Sequence, residues 1–153
     1  MKKRLLFLDL DGTLLNDAKE ITEGNRLALE RTLQRGHGVI IATGRPLKSA
    51  LEQSVRLGLN KPGCYTIAYN GAVIYDWEKQ DVVFARTLDK DAVIQVFQQA
   101  NLLGEHVQTY DSFDVLVEPF GDDETVRRYC KMVSMTYRLI KDVRTDLKED
   151  PVK

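Results

Sequence analysis

The chain has 153 residues, 43% of them hydrophobic and 29% charged, with a formal net charge of −1; this is the composition of a folded protein with one ordinary domain or two small ones. The near-neutral balance excludes binding to nucleic acid or an anionic membrane through bulk charge, and no apolar run approaches the roughly 20 residues of a membrane span. Two cysteines, Cys64 and Cys130, do not make a disulfide framework, so a reduced, cytoplasmic setting is expected.

Met1-Lys2-Lys3-Arg4 is basic and then apolar, as a signal peptide begins, but Asp9 ends the apolar stretch far short of the roughly 7–15 residues of an h-region. Arg4 to Leu10 reads instead as a buried parallel strand, running into the polar turn Asp9-Leu10-Asp11-Gly12-Thr13. Thr22 is a candidate N-cap for a helix over 23–35, with Leu27, Ala28 and Leu33 inward and Gly36 as its stop. Val39 to Ala42 is a second buried strand and runs into Thr43-Gly44-Arg45-Pro46; a helix from Pro46 to about Leu57 follows, with proline at a favourable first position. Tyr65 to Tyr69 is a third strand, ending at Asn70-Gly71. The order β-α-β-α-β predicts an α/β fold with a parallel sheet covered by helices. Ligands of such sheets bind at the strands' carboxyl ends, where all three polar turns fall.

Beyond residue 71 the rhythm changes. Val73 to Tyr75 and Val82 to Ala85 flank a turn, as in a hairpin. A helix follows over 91–100 with Val93, Val96 and Phe97 at helical spacing, then short strands over 107–110 and 113–117, a helix over 122–132 and a short strand over 138–140. The polar stretch 142–153 shows nothing that would close a domain. This part reads as an appended α+β unit.

The strand-end residues suit one chemistry. Asp9 and Asp11 are carboxylates held two residues apart, which repel unless a cation joins them; Mg²⁺ prefers such oxygen ligands and bridges carboxylate to phosphate. Gly12 permits close backbone approach, and the amides after Asp11 can cradle an anion. Thr43 offers a hydroxyl and an amide beside a helix start, where phosphate is attracted, and Arg45 adds a planar cationic fork.

Asp9-Leu10-Asp11-Gly12-Thr13-Leu14-Leu15 resembles the first motif of the haloacid dehalogenase superfamily, and Ala42-Thr43-Gly44-Arg45-Pro46 resembles its second. Tyr69-Asn70-Gly71-Ala72 is similar to a turn of the Cof-like sugar-phosphatase branch, whose members carry an α+β cap after the third strand. The resemblance implies a partial Rossmann-like core over residues 1–84 and part of a cap over 85–153. It implies a Mg²⁺-dependent phosphatase of a small phosphorylated metabolite, such as a sugar phosphate, with Asp9 as nucleophile and Asp11 as acid and base. Leu10, Gly12, Thr43, Gly44, Arg45 and Asn70 would surround the phosphate, and Asp9 and the Asp11 carbonyl would hold the metal. A phosphotransferase would use the same residues.

The family pattern has two further motifs after its cap, a lysine and an acidic metal-binding turn, and neither occurs here. The expectation is therefore a fragment, inactive or weakly binding, whose first strand is an exposed sheet edge open to self-association. Lys48 is a weak stand-in for the lysine. Other polar residues have plainer readings. Asp111, Asp114 and Asp122 to Glu124 suit turns and a helix start, His37 is structural, His106 a surface residue, Tyr75 and Trp77 packing residues, and both cysteines inert. Asn70-Gly71 is as readily an ordinary turn as a substrate contact.

Overall fold

The first unit is built on short strands punctuated by caps. β1 (Leu5–Leu8), β2 (Gly38–Ala42) and β3 (Tyr65–Ala68) pair in parallel in that order, with α1 (Glu23–Gln34) and α2 (Leu47–Arg56) between them. Thr22 caps α1, its hydroxyl accepting from the Asn25 N–H at 3.3 Å. The hairpin β4 (Val73–Asp76) and β5 (Asp81–Ala85) adds antiparallel to β3, giving one five-stranded sheet in the order β1-β2-β3-β4-β5. Residues 2–153 are described by this computed structural model, and the chain divides into two units, one ending at Ala85 and one beginning at Arg86.

Strand alternation sets the core. Val39 and Ile41 of β2 pack with Leu10, Leu14, Leu15, Leu29, Leu57, Leu59 and Cys64. On α1 the buried stripe is Leu29, with Leu33 partly buried, rather than the expected Leu27 and Ala28, which are exposed. Leu29 and Leu33 are four residues apart and share a face, whereas Leu27 lies roughly 200° around the helix from Leu29. Trp77 donates from Nε1 to the Thr66 hydroxyl at 2.9 Å, which in turn lies 2.8 Å from Ser54 Oγ. Ser54 spends its single proton on the Ala50 carbonyl, so Thr66 donates to Ser54 and both hydroxyls are satisfied. Trp77 is thus the packing residue its position suggested. β1 lies at the sheet edge, as expected, but it is not the buried strand its apolar run suggested: Leu5, Leu6 and Phe7 are exposed, and Leu10, beyond the strand, is the residue in the core.

In the second unit, Asp89 caps α3 (Lys90–Leu103), which ends on the left-handed Gly104. β6 (Thr109–Tyr110) pairs antiparallel with β7 (Val115–Val117), and β7 pairs parallel with β8 (Tyr137–Leu139). α4 (Glu124–Val133) precedes β8 and α5 (Val143–Asp146) follows it. Val93 and Phe97 are buried with Leu116, Ile140, Val143 and Leu147, while Val96 is exposed. The polar ending is more ordered than its composition suggested. Val143 and Leu147 join this core, Leu88 donates to the Pro151 carbonyl at 2.7 Å, and the Thr109 hydroxyl donates to the Lys153 carbonyl at 2.7 Å. Two apolar residues spaced four apart around a one-turn helix were too brief a signal to register as periodicity. Among the described residues no helix is long and apolar enough to cross a membrane.

Candidate active site

Three loops meet at the carboxyl ends of β1, β2 and β3. Asp9 follows β1 and is exposed; among the described residues no cation pairs with its carboxylate. Leu10 turns its side chain into the core, and its carbonyl accepts from the Leu14 and Leu15 N–H groups, so it borders the loop through its backbone alone. Gly12 has φ +75°, a conformation that glycine adopts without the Cβ penalty.

The loops after β2 and β3 are laced together by backbone. Thr43 donates to the Ile67 carbonyl at 2.9 Å, Tyr69 to the Arg45 carbonyl at 3.0 Å, and Asn70 to the Thr43 carbonyl at 3.2 Å. A Cβ on residue 44 would stand 2.5 Å from Asn70 Oδ1, so a side chain there would have to push the Asn70 amide aside. Asn70 itself is left-handed, φ 58° and ψ 31°, a conformation asparagine tolerates better than most residues. Asn70 is therefore placed as a loop tie. The Thr43 hydroxyl accepts from the Arg45 N–H at 3.3 Å and keeps its own proton to donate.

Asp11 is the electrostatic centre of this edge. Arg45, only 5% exposed, grips it as a fork, Nε to Oδ2 and Nη2 to Oδ1, both at 2.8 Å. Lys19 reaches Oδ1 at 2.8 Å as well. The Arg45 hydrogen bonds, reinforced by Lys19, hold the Asp11 carboxyl down at about 2 against the burial that opposes them. Asp11 is thus ionised at neutral pH, with both oxygens engaged.

Lys19 was not anticipated. It belongs to a hairpin of residues 16–20, closed by Asn16 N–H to the Glu20 carbonyl, Lys19 N–H to the Asn16 carbonyl, both 2.9 Å, and Glu20 N–H to Asn16 Oδ1 at 3.0 Å. An asparagine that closes a turn on itself was the available signal. The expected Lys48 is exposed near the start of α2 and has no part in the cluster. Elsewhere His37 is structural, its Nδ1 accepting from the Arg4 N–H at 3.3 Å. His106 departs from expectation: it is half-buried, with Nε2 3.1 Å from Gln108 Oε1 and Nδ1 3.5 Å from Asp123 Oδ1. Gln108 and Tyr110, alternate residues leading into β6, draw its ring inward. Cys64 and Cys130 are buried free thiols, pushed up by that burial, which makes them poor nucleophiles.

Residues 6–153 match the model of a family described as haloacid dehalogenase-like hydrolase. The chain belongs to that family. It is 30% identical over 146 residues to a putative phosphatase, YxeH, of Bacillus subtilis, covering 94% of this chain and 54% of that protein. It is also 30% identical over 152 residues to the 5-amino-6-(5-phospho-D-ribitylamino)uracil phosphatase YitU of the same organism, covering 97% and 54%. A haloacid dehalogenase-like hydrolase from Bacteroides thetaiotaomicron superposes with a TM-score of 0.83 at 30% identity, over 98% of this chain and 56% of that one. The chain thus spans about half the length of the relatives it matches.

Proposed function

We propose that this chain carries the nucleophile and phosphate-binding half of a phosphomonoesterase acting on a small phosphorylated metabolite, such as a sugar or alditol phosphate. The observation that carries this reading is the meeting of Asp9, Asp11, Thr43 and Arg45 at the carboxyl ends of adjacent parallel strands, in a chain of this hydrolase family. A relative named for a phosphorylated ribityl compound supports the substrate class.

Asp9 is the nucleophile in this reading. Its exposed carboxylate oxygen forms a bond to phosphorus while the bond from phosphorus to the ester oxygen breaks, and the departing oxygen takes a proton. Water then cleaves the aspartyl-phosphate and regenerates Asp9. Asp11 is the group placed to move those protons, but it carries none while Arg45 and Lys19 hold both oxygens; it serves as acid only once Oδ1 is released by Lys19, the exposed one of the two partners. Thr43 and the Gly44 amide hold the phosphoryl oxygens. Gly12 and the Leu10 backbone leave room for them.

The donors fit Mg²⁺, which takes hard oxygen ligands and is commonly held by one or two protein groups plus substrate phosphate. The Asp9 carboxylate and Asp11 carbonyl are such donors, and the Asp11 carboxylate is otherwise engaged. The ion when bound would neutralise charge on the phosphoryl oxygens. Among the described residues no cluster of three or more histidine, cysteine or acidic side chains could hold a metal. A second reading for these 153 residues is binding of phosphate and metal with little turnover: the two cations at the strand ends are engaged by Asp11, which leaves transition-state charge under-compensated.

Hydrolysis of p-nitrophenyl phosphate with and without Mg²⁺, by this chain and its Asp9→Asn variant, separates the two. Mg²⁺-dependent turnover lost in Asp9→Asn supports the esterase. No turnover, with retained phosphate binding, supports the second reading. Turnover unaffected by Asp9→Asn overturns both.

A further inference from the structure

We propose that Lys19 is an anion-receiving residue of the strand-end site: with Arg45 it holds the Asp11 carboxylate until a phosphoryl group arrives, and then swings from Asp11 to the phosphoryl oxygens. This rests on the reading of the edge as a phosphate site.

Three observations lead there. Asp11 is one anion gripped by two cations, Arg45 and Lys19, and with the neighbouring Asp9 carboxylate the strand-end residues carry two charges of each sign, so both cations are held by protein carboxylate before any ligand arrives. The Asp11 oxygens receive a fork and an ammonium in the pattern that suits a tetrahedral oxyanion equally well. The carboxylate therefore occupies cationic donors that a phosphate would compete for.

The second observation is a contrast in freedom. Arg45 is 5% exposed, and its loop is tied by backbone to the Asn70 turn. Lys19 is 49% exposed, at the end of a flexible four-carbon stem. Of the two, only Lys19 can change partner without disturbing the core.

The third is placement. Lys19 sits at φ 61°, a left-handed conformation unfavourable for a residue with a Cβ. Asn16 closes the hairpin around it through backbone and side chain. The hairpin is rooted in the core by Leu14 and Leu15, and Leu15 bridges to both Asp11 and Ile21. The short hairpin thus holds the base of the lysine in fixed register with Asp11. Ordering a long lysine side chain toward a partner costs rotamer entropy that a surface ion pair barely offsets, which makes a merely stabilising role a weak account of this geometry.

The test uses inorganic phosphate as probe, titrated into the 153-residue chain by isothermal calorimetry, with Lys19→Met, Lys19→Arg and Thr43→Val variants. Lys19→Met should weaken phosphate binding about five- to tenfold while leaving the thermal midpoint essentially unchanged. Lys19→Arg should recover affinity to within about twofold, a rescue that a structural role at this exposed position would not show. If Lys19→Met binds phosphate as wild type does while Thr43→Val has lost it, the Lys19 assignment is wrong and the phosphate site stands. If wild type binds no phosphate, or neither variant changes its binding, the phosphate-site reading fails and takes the Lys19 assignment with it.

Discussion

Acidic residues do different work in the two units. In the first, Asp11 is bound by side chains from elsewhere in the chain: Arg45, 34 positions away, and Lys19 from the neighbouring hairpin. In the second, several aspartates serve their own backbone, although Asp114 accepts from the Thr136 hydroxyl and Asp122 from Arg127 and Tyr137. Asp111 accepts from the N–H groups of Phe113 and Asp114, Asp123 from Thr125 and Val126 at the start of α4, and Asp142 from Arg144 at the start of α5. These are turns and helix caps. Arg138 does bridge Asp111 from 27 positions away, but as an exposed pair, of the kind that contributes little. A carboxylate whose oxygens are taken by distant cations, one of them buried, ties separate loops together; a carboxylate folded onto the next two amides closes a turn. Composition does not distinguish them.

The largest test of this contrast is to damage the second unit alone. Phe97→Ala empties the centre of its core and should cost about 3–5 kcal/mol, read by urea unfolding and by hydrogen exchange in α3 and β7. Phosphate affinity should not change, because no member of the Asp11 cluster belongs to that unit. A matching fall in phosphate affinity would show that the site depends on the second unit's integrity.

Next in size is Arg45→Met. It removes two hydrogen bonds to a charged, part-buried carboxylate and leaves Lys19 as its only side-chain partner among the described residues. We expect a loss of ~2 kcal/mol in stability and near-complete loss of phosphate binding. Stability unchanged by this substitution would mean that the fork is not formed in solution.

Acid should expose the same cluster. The Asp11 carboxyl lies at about 2 in the folded chain, below its ordinary 3.8. A depressed carboxyl contributes stability that is fully present above the unfolded value and is lost as protons bind on the way down. Wild type should therefore lose up to about 2 kcal/mol between pH 4 and pH 2 through this group, and Asp11→Asn should flatten that part of the curve. Asp142 is lowered to about 2 as well, by Arg144, and Asp111, Asp123 and Asp146 are lowered too, so a residual slope should survive in Asp11→Asn.

The strand-end motifs and the parallel order of β1, β2 and β3 were legible because apolar runs that stop at polar, glycine-containing turns are local signals. The two-residue spacing of Asp9 and Asp11, and the turn after β2, carried the site for the same reason. Lys19 was not legible as a partner of Asp11: its approach depends on how residues 16–20 close, and an asparagine-centred hairpin does not say which side chain points back. The buried face of α1 was misplaced because Leu27, Leu29 and Leu33 offer two stripes, and which one is buried depends on how the helix lies on β2. α5 was missed because four residues carry too little periodicity, and Val143 and Leu147 are buried by residues distant in sequence, Val93 and Phe97 of α3 and Leu116 of β7, together with Ile140. His106 was drawn from the expected surface by Gln108 and Tyr110, whose side-chain contacts no spacing rule announces.

The smallest prediction returns to the comparison and sets the same chemical change against both kinds of aspartate. Asp123→Ala removes the cap that satisfies two N–H groups at the start of α4 and should cost about 1 kcal/mol. Asp123→Asn should cost almost nothing, because asparagine caps as well as aspartate and the contact with His106, at 3.5 Å, is long and partly exposed. At Asp11 the order of importance is reversed. Asparagine keeps the shape but not the charge, leaving Arg45 buried beside a neutral amide, so Asp11→Asn should be clearly destabilising at pH 7 by urea unfolding. If Asp123→Asn proved as costly as Asp123→Ala, charge would matter at the α4 cap and the local reading of the second unit's aspartates would need His106 as a true ionic partner. If Asp11→Asn proved harmless, the cations at the strand ends would not depend on that carboxylate, and the distinction between the two regions would collapse from the other side.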